Sequence, residues 1–204
     1  LVFSSSCAAS LTPNPPLPVV RDINGEILRS DTRYFVVSGL IGGSGGVTQG
    51  PTVNGACHDA NFVCPSQVVH TPQDMGTSVY FKPKAPKQEE ITEFTSLNIE
   101  FYLDNPTICK NNVWKVDGFP GNEIPMFLST NGVAGNPLNV SSWFQIEKVH
   151  DNSYKLVFCP YEEHICSDIG IKVVDGQDHL AIRTDNTFAV VFVKDPYIGI
   201  KSII

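Results

Sequence analysis

Turn-forming residues recur along this chain at short intervals, and this spacing limits its fold more than any other feature. The strongest turn signals are Asp22-Ile23-Asn24-Gly25, Gly42 to Gly46, Asn131-Gly132, Asp175-Gly176 and Asp185-Asn186. The segments between the turns are rich in β-branched and aromatic residues, and no stretch repeats apolar residues at helical spacing. About a dozen short strands, separated by roughly 8–12 residues, predict an all-β sandwich or barrel.

The predicted strands support a more specific fold. They include Tyr34 to Val37, Leu97 to Phe101, Val113 to Val116, Met126 to Leu128, Phe144 to Glu147, Tyr154 to Phe158, Ile169 to Val173, Leu180 to Arg183 and Ala189 to Val193. Both tryptophans, Trp114 and Trp143, lie near the start of a strand, which suggests a faint internal repeat. Dividing residues 19 to 194 by three gives units of about 59 residues with about four strands each. Three such units predict a β-trefoil: a six-stranded barrel with pseudo-threefold symmetry, capped by three hairpins.

The amino-terminal residues differ in composition from the rest of the chain. Leu1 to Ser10 is apolar and then rich in small residues, and we interpret it as the remnant of a signal or propeptide region. Pro13 to Pro18 predicts an extended, polyproline-like segment. We therefore divide the chain into a Pro/Ser-rich arm, residues 1–17, and a single domain, residues 18–204.

Composition and charge exclude several classes of protein. Hydrophobic residues make up 42% of the chain and charged residues only 17%, which excludes intrinsic disorder and a coiled coil. The net charge of −7 argues against a nucleic-acid partner. No apolar run approaches the roughly 20 residues of a membrane-spanning helix. We expect no nucleic acid, no membrane and a monomer.

Six cysteines require an interpretation: Cys7, Cys57, Cys64, Cys109, Cys159 and Cys166. An even count favours three disulfides and an oxidising compartment, although the residues alone allow 15 pairings. Cys57, His58, Cys64 and His70 lie close together, but they lack the paired spacing of a zinc site, so we expect no metal. The sequon Asn139-Val140-Ser141 predicts a glycan at Asn139. Together these features predict a secreted or vacuolar protein.

The chain lacks the signatures of an enzyme. Gly42 to Gly46 matches the G-x-S-x-G pattern of a nucleophile elbow, but Val47 to Pro51 follows and cannot begin the helix that such an elbow needs. The five histidines show no metal-ligand spacing, and no phosphate-binding or dinucleotide-binding motif is present. We therefore expect neither catalysis nor a cofactor.

The segment Tyr80 to Glu93 is the one that suggests a function. Its three lysines, Lys82, Lys84 and Lys87, alternate with Pro83 and Pro86. Because proline fixes its own φ and biases the preceding residue toward extended geometry, we expect an exposed, extended loop with basic tips. A preorganised extended backbone with a lysine suits a substrate-like inhibitor of a protease. An ordinary solvated loop, whose lysines serve solubility, is the alternative.

Several stretches of this sequence, in order, resemble the plant Kunitz trypsin-inhibitor family and are nearest to its miraculin-like branch. The matching segments are Val20 to Leu28, Tyr34 to Val37, Gly42 to Gly46, Cys64 to Val69, Ser142 to Lys148, Tyr154 to Pro160, Cys166 to Ile171 and Leu180 to Ile182. The similarity runs from about Pro18 to Lys194. It implies a disulfide-stabilised β-trefoil, in agreement with the strand count.

The resemblance also implies two disulfides, Cys64–Cys109 and Cys159–Cys166. These would close loops of 45 and 7 residues (109 − 64 and 166 − 159), worth roughly 4 and 2.4 kcal/mol on the chain-entropy model. Cys7 and Cys57 fall outside the family's usual bridges. We predict that they pair with each other and tie the arm to the domain.

The family's inhibitors carry the reactive bond in the loop between the fourth and fifth strands, which is the Lys/Pro segment here. Counting from Gly76-Thr77 places it at Lys84–Ala85, where Pro86 removes an N–H that an enzyme could otherwise bind. Counting back from Leu97 places it at Lys87–Gln88, where Glu89 and Glu90 follow. Lys82 precedes Pro83 and is a poor candidate, and the other two both remain open.

A second departure from the family concerns the support of this loop. Inhibitory members commonly hold it from inside with an asparagine, whereas this chain has Ser30 at that position, with fewer hydrogen-bond donors. The resemblance implies a trypsin-like serine protease as partner, and a cysteine or aspartic protease is also compatible with it. The alternative function is that of a non-inhibitory miraculin-like trefoil with a storage, stress, defence or ligand-binding role.

Overall fold

Twelve strands and one short 3₁₀ helix make up the regular structure of the described residues. The computed structural model describes residues 15–40, 44–50, 66–104, 110–161 and 166–196. The strands are β1 (Arg33–Ser38), β2 (Gly46–Gly50), β3 (Gln67–Thr71), β4 (Val79–Pro83), β5 (Leu97–Phe101), β6 (Lys115–Val116), β7 (Met126–Ser129), β8 (Phe144–His150), β9 (Ser153–Phe158), β10 (Ser167–Val174), β11 (Gln177–Ile182) and β12 (Ala189–Lys194). The 3₁₀ helix, Val140–Ser142, precedes β8. This part of the chain contains no helix long and apolar enough to span a membrane.

Six of these strands form a closed barrel. Going around it, β1 pairs with β4, β4 with β5, β5 with β8, β8 with β9, β9 with β12, and β12 with β1, all antiparallel. Closure leaves the barrel without a free edge. It also places the first and fourth strand of each four-stranded unit side by side.

The other six strands form three hairpins that cap the barrel. These are β2–β3, β6–β7 and β10–β11. The hairpins meet in a triangle, because β3 pairs with β7, β7 with β11, and β11 with β3. This arrangement confirms the predicted β-trefoil.

The core fills the barrel with aromatic and aliphatic side chains. Phe81 and Phe192 pack with their ring centroids 5.3 Å apart, and Phe101 and Trp114 do the same at 5.3 Å. Both are spacings at which aromatic rings attract each other. Trp114 is completely buried. The tryptophan that marked a repeat in the sequence is therefore a core residue.

Local turn chemistry follows the sequence. In the β10–β11 hairpin, Asp175 and Gly176 have φ values of 51° and 78°, as the type I′ turn of an Asp-Gly pair requires. Gly25 has a φ of 80° and closes the turn that begins at Asp22, to whose carbonyl its N–H donates at 3.0 Å.

The disulfide Cys159–Cys166 is present, with an S–S distance of 2.04 Å, and confirms that prediction. The predicted pairs Cys64–Cys109 and Cys7–Cys57 lie outside the described residues. So does the amino-terminal arm except for residues 15–17.

Candidate functional site

The Lys/Pro segment forms the loop between β4 and β5, and its base is part of the barrel. The two strands pair in continuous register from Val79 opposite Phe101 to Pro83 opposite Leu97. The N–H of Lys84 donates to the carbonyl of Ser96 at 2.8 Å, which extends this pairing by one residue. The upstream arm of the loop is therefore an extension of β4.

The tip of the loop is a turn. The N–H of Gln88 donates to the carbonyl of Ala85 at 3.0 Å, with Pro86 and Lys87 at the two central positions. Since Lys87 does not have a positive φ, the turn is type I, the type that favours proline at its second residue. The prediction of an extended backbone is therefore wrong for these four residues, because the fixed φ of proline fits this turn as well as a strand.

The downstream arm pairs with the segment that precedes β1. The N–H of Ser30 donates to the carbonyl of Glu89 at 2.8 Å, and the N–H of Ile91 donates to the carbonyl of Leu28 at 2.9 Å. Between them, Arg29 and Glu90 form an isolated antiparallel bridge. The loop is thus held on both sides of its turn by backbone hydrogen bonds.

Ser30, the residue predicted to support the loop, contacts it through backbone atoms. Its N–H binds Glu89 as described, and its carbonyl accepts a hydrogen bond from Lys82 Nζ at 3.0 Å. Within the described residues, the Ser30 hydroxyl has no hydrogen-bond partner. Within the described residues, the Ser30 side chain therefore does not support the loop as the asparagine of the resembling family would.

The three lysines of the segment have different surroundings. Lys82 Nζ binds Ser30 and lies 4.4 Å from the centroid of the Tyr80 ring. Lys84 Nζ lies 5.6 Å from the centroid of the Trp143 ring, within the range of a cation–π contact. Lys87 is exposed at the tip, and no residue of the described chain accepts a hydrogen bond from its ammonium group. Lys84 and Lys87 are both exposed, but only the ammonium group of Lys87 is without a hydrogen-bond, ion-pair or ring partner among the described residues.

Arg29 forms ion pairs with two carboxylates, one of which belongs to an acidic residue that follows Lys87. Its guanidinium lies 2.7 Å from the carboxylate of Glu89 and 3.5 Å from that of Asp31. The hydrogen bond to Glu89 and the charge of Asp31 raise the pKa of the Arg29 guanidinium. Glu90 is exposed on the same arm. Sequence reasoning missed Arg29, because its partner Glu89 is 60 residues away and no local pattern connects them.

The predicted glycosylation site lies on the surface just before the 3₁₀ helix. Asn139 is half-buried, and its Oδ1 accepts a hydrogen bond from Ser141 Oγ at 3.0 Å. The described residues contain no group of three or more His, Cys, Asp or Glu side chains that could hold a metal ion. Of the four residues weighed as zinc ligands, only His70 lies in the described part.

Comparison with known proteins identifies relatives over almost the whole chain. The legume Kunitz family model, described as trypsin and protease inhibitor, matches residues 20–194. Miraculin from Synsepalum dulcificum is 36% identical, over 93% of this chain and 87% of its own length. Kunitz trypsin inhibitor 5 from Arabidopsis thaliana is 32% identical, over 80% of this chain and 79% of its own length.

Solved structures of Kunitz-type inhibitors are also similar to this chain. The Kunitz-type cysteine protease inhibitor PCPI-3 from potato has a TM-score of 0.71 and is 27% identical, with 88% of this chain and 98% of that chain covered. Soybean trypsin inhibitor, in its complex with porcine pancreatic trypsin, has a TM-score of 0.66 and is 26% identical, with 86% and 98% covered.

Proposed function

The chain belongs to the legume Kunitz family of trypsin and protease inhibitors, and on this basis we propose that it inhibits a trypsin-like serine protease by presenting Lys87 to the enzyme's specificity pocket. The observation that carries this proposal is the exposure of Lys87 at the tip of a loop whose two arms are both anchored to the barrel. A restrained loop loses less conformational freedom on binding, which favours affinity.

Lys84 is less suited to this role because its polar groups are already engaged. Its backbone N–H is bound to Ser96, and its ammonium group lies over Trp143. A protease that binds an extended segment needs the backbone N–H groups of that segment. For Lys87, no described residue accepts a hydrogen bond from the backbone N–H. The geometry therefore favours Lys87–Gln88 over Lys84–Ala85 as the reactive bond.

The acidic residues after Lys87 are less unfavourable for a reactive bond at Lys87–Gln88 than the sequence alone suggests. The charge of Glu89 is partly offset by Arg29, which also lies near Asp31. What must change on binding is the turn, since an extended Lys87 requires the hydrogen bond between Ala85 and Gln88 to break. One neutral backbone hydrogen bond contributes about 0.5–1.5 kcal/mol, a cost that a specificity contact exceeds.

Titration against trypsin with single-lysine variants tests the proposal. We expect wild type to inhibit trypsin, and Lys87→Ala to raise the inhibition constant at least about 30-fold, as the loss of a dominant contact does. Lys84→Ala and the control Lys172→Ala, which removes an exposed lysine of β10, should change the constant by less than about threefold. A large effect of Lys84→Ala with none of Lys87→Ala would move the reactive bond to Lys84. No inhibition by micromolar wild type would end the proposal.

The alternative is a non-inhibitory trefoil with a storage, stress, defence or ligand-binding role. The closed turn at Ala85–Gln88 favours it, because this is not the extended form that a protease binds. Relatives carry different names: a cysteine protease inhibitor and several aspartic protease inhibitors from potato occur beside miraculin. Papain and pepsin therefore belong in the same titration, and a protein inactive against all three proteases would favour the alternative.

We also propose that the protein is secreted or vacuolar and glycosylated at Asn139. The disulfide Cys159–Cys166 supports an oxidising compartment, and the surface position of the sequon is compatible with a glycan. Protein purified from its source tissue should lose mass on treatment with an N-glycosidase. An unchanged mass would exclude the glycan.

A further inference from the structure

A polar cavity lies at the end of the β4–β5 pair opposite the Lys87 loop. Its volume is about 490 Å³, and its walls include Arg33, Ser78, Tyr102, Asp104 and Asp195. Ser78 precedes β4 and Tyr102 follows β5, whereas Lys87 follows the other end of β4. The cavity is therefore separate from the proposed inhibitory loop.

Two buried, oppositely charged side chains line this cavity. Nε of Arg33 lies 3.3 Å from the carboxylate of Asp195, and the two side chains are only 8% and 5% exposed. Asp195 also accepts a hydrogen bond from Ser78 Oγ at 2.8 Å. One face of the Arg33 guanidinium is covered by the Tyr102 ring, whose centroid is 3.8 Å away. The guanidinium is thus held by two neighbours, Asp195 and Tyr102, and Ser78 in turn holds Asp195.

The outer edge of this guanidinium lacks partners in the described chain. No described residue accepts a hydrogen bond from Nη1 or Nη2 of Arg33. Neither atom is among the completely inaccessible polar atoms without a partner, so each has some accessible surface, and Arg33 lines the cavity. A buried charged group left without acceptors is costly, and the two Nη groups form the fork that binds a carboxylate through two hydrogen bonds.

The carboxylates around the cavity indicate which second charged group a ligand needs besides its carboxylate. Asp195 lies against Arg33, and the exposed carboxylate of Asp104 adds negative charge to the same wall. A simple anion would be repelled, whereas a ligand with both a carboxylate and an ammonium group would match Arg33 and Asp104. Phe35, on the same wall, offers an apolar surface to a side chain. We propose that this cavity binds a free α-amino acid with an apolar side chain, its carboxylate on Arg33 and its ammonium group facing Asp104.

Calorimetric titration with three matched probes tests this site. We expect L-phenylalanine to bind saturably, with a Kd on the order of 1 mM for a ligand of this size. 3-Phenylpropionate, which lacks the ammonium group, and phenethylamine, which lacks the carboxylate, should each bind at least about tenfold more weakly. Equal binding of all three probes, or no saturation by L-phenylalanine at about 20 mM, would overturn the proposal, and so would tighter binding of glucose, a neutral probe.

Two variants assign the contacts. Asp104→Asn should remove the preference for L-phenylalanine over 3-phenylpropionate, while Asp151→Asn, which removes an exposed carboxylate from the β8–β9 turn, should leave it unchanged. Arg33→Lys should remove the preference for L-phenylalanine over phenethylamine, because an ammonium group cannot bind a carboxylate through a planar fork. If the Arg33 variant does not fold, Asp104→Asn decides alone. An Asp104 variant that behaves as wild type would refute the proposal.

Discussion

Replacing Asn98 by alanine should destabilise the domain more than its small loss of volume implies. Asn98 is 1% exposed and lies on β5, opposite Lys82 in the register. Its Nδ2 donates to the carbonyl of Ser142 at 2.7 Å, and its Oδ1 accepts from the N–H of Gly135 at 2.8 Å. One side chain therefore attaches the long β7–β8 connection to the barrel at two points.

The two hydrogen bonds differ in whether water can replace the side-chain partner that Asn98→Ala removes. Ser142 is completely buried, so in Asn98→Ala its carbonyl loses a donor in a place that water does not reach, at about 1–3 kcal/mol. Gly135 is exposed, so its N–H regains a bond to water and costs about 0.5–1 kcal/mol. Together these give a loss of about 1.5–4 kcal/mol, which lowers Tm by about 3–16 °C in a domain of this size.

Urea unfolding followed by tryptophan fluorescence measures this loss, because Trp114 and Trp143 are both buried. Asn112→Ala is the matched control: it removes one hydrogen bond, from Nδ2 to the carbonyl of Phe101 at 2.9 Å, and should cost about 1 kcal/mol. Asn98→Asp keeps the acceptor for Gly135 but sets a carboxylate against the Ser142 carbonyl, so it should be less stable than Asn98→Ala. A cost for Asn98→Ala below about 0.5 kcal/mol would refute the reasoning.

Two further predictions concern the third unit of the trefoil. Replacing both Cys159 and Cys166 by serine should lower the free energy of unfolding by roughly 2.4 kcal/mol, the chain-entropy value for a separation of 7 residues; urea unfolding of the variant checks this, and an unchanged midpoint would contradict it. His179 is 3% exposed, and burial lowers its pKa below 6.5 against the opposing charges of Asp175 and Asp178. The unfolded state then binds the proton more tightly, so this contribution to stability is present above pH 6.5 and is lost as the pH falls through the lower pKa of the folded state. His179→Gln should therefore lose less stability than wild type between pH 7.5 and pH 5, and equal losses would contradict the assignment.

Much of the barrel could be predicted because its strands alternate apolar and polar residues. Leu97 to Phe101 is an example: the segment coincides with β5, and Leu97, Ile99 and Phe101 are all completely buried. The strand β2, Gly46–Gly50, was not predicted, because glycine at both ends resembles a loop. Both glycines are needed for close packing, since a Cβ on Gly46 would meet the carbonyl of Met75 and one on Gly50 would meet the Val69 side chain.

The position of the Lys/Pro segment between the fourth and fifth strands was predicted, but the conformation of its tip was not. Pro86 was interpreted as a device that extends the backbone, whereas it occupies the second position of a type I turn. The φ of proline fits both an extended strand and a type I turn, so Pro86 alone cannot distinguish the two conformations. The hydrogen bond from the Gln88 N–H to the Ala85 carbonyl shows that the turn is formed. In the sequence, Trp143 was a repeat marker and part of a segment that carries the resemblance. Its contact with Lys84 could not be predicted, because it depends on a fold that brings together residues 59 positions apart.

The backbone hydrogen bonds of the loop are unevenly distributed between its two arms and its tip. Upstream, Lys84 is bound into the sheet, and downstream, Glu89 and Ile91 are bound to the segment before β1. Between these fixed points the tip is closed by a single backbone hydrogen bond, from Gln88 to Ala85. A partner that requires an extended Lys87 therefore has to break one backbone hydrogen bond. Gln88 is further restrained, because its Nε2 donates to the carbonyl of Glu90 at 2.9 Å and to Thr92 Oγ1 at 3.1 Å. If the proposed inhibition holds, affinity for a protease should accordingly depend on the stability of this turn more than on the side chain of Ser30, whose hydroxyl has no hydrogen-bond partner among the described residues.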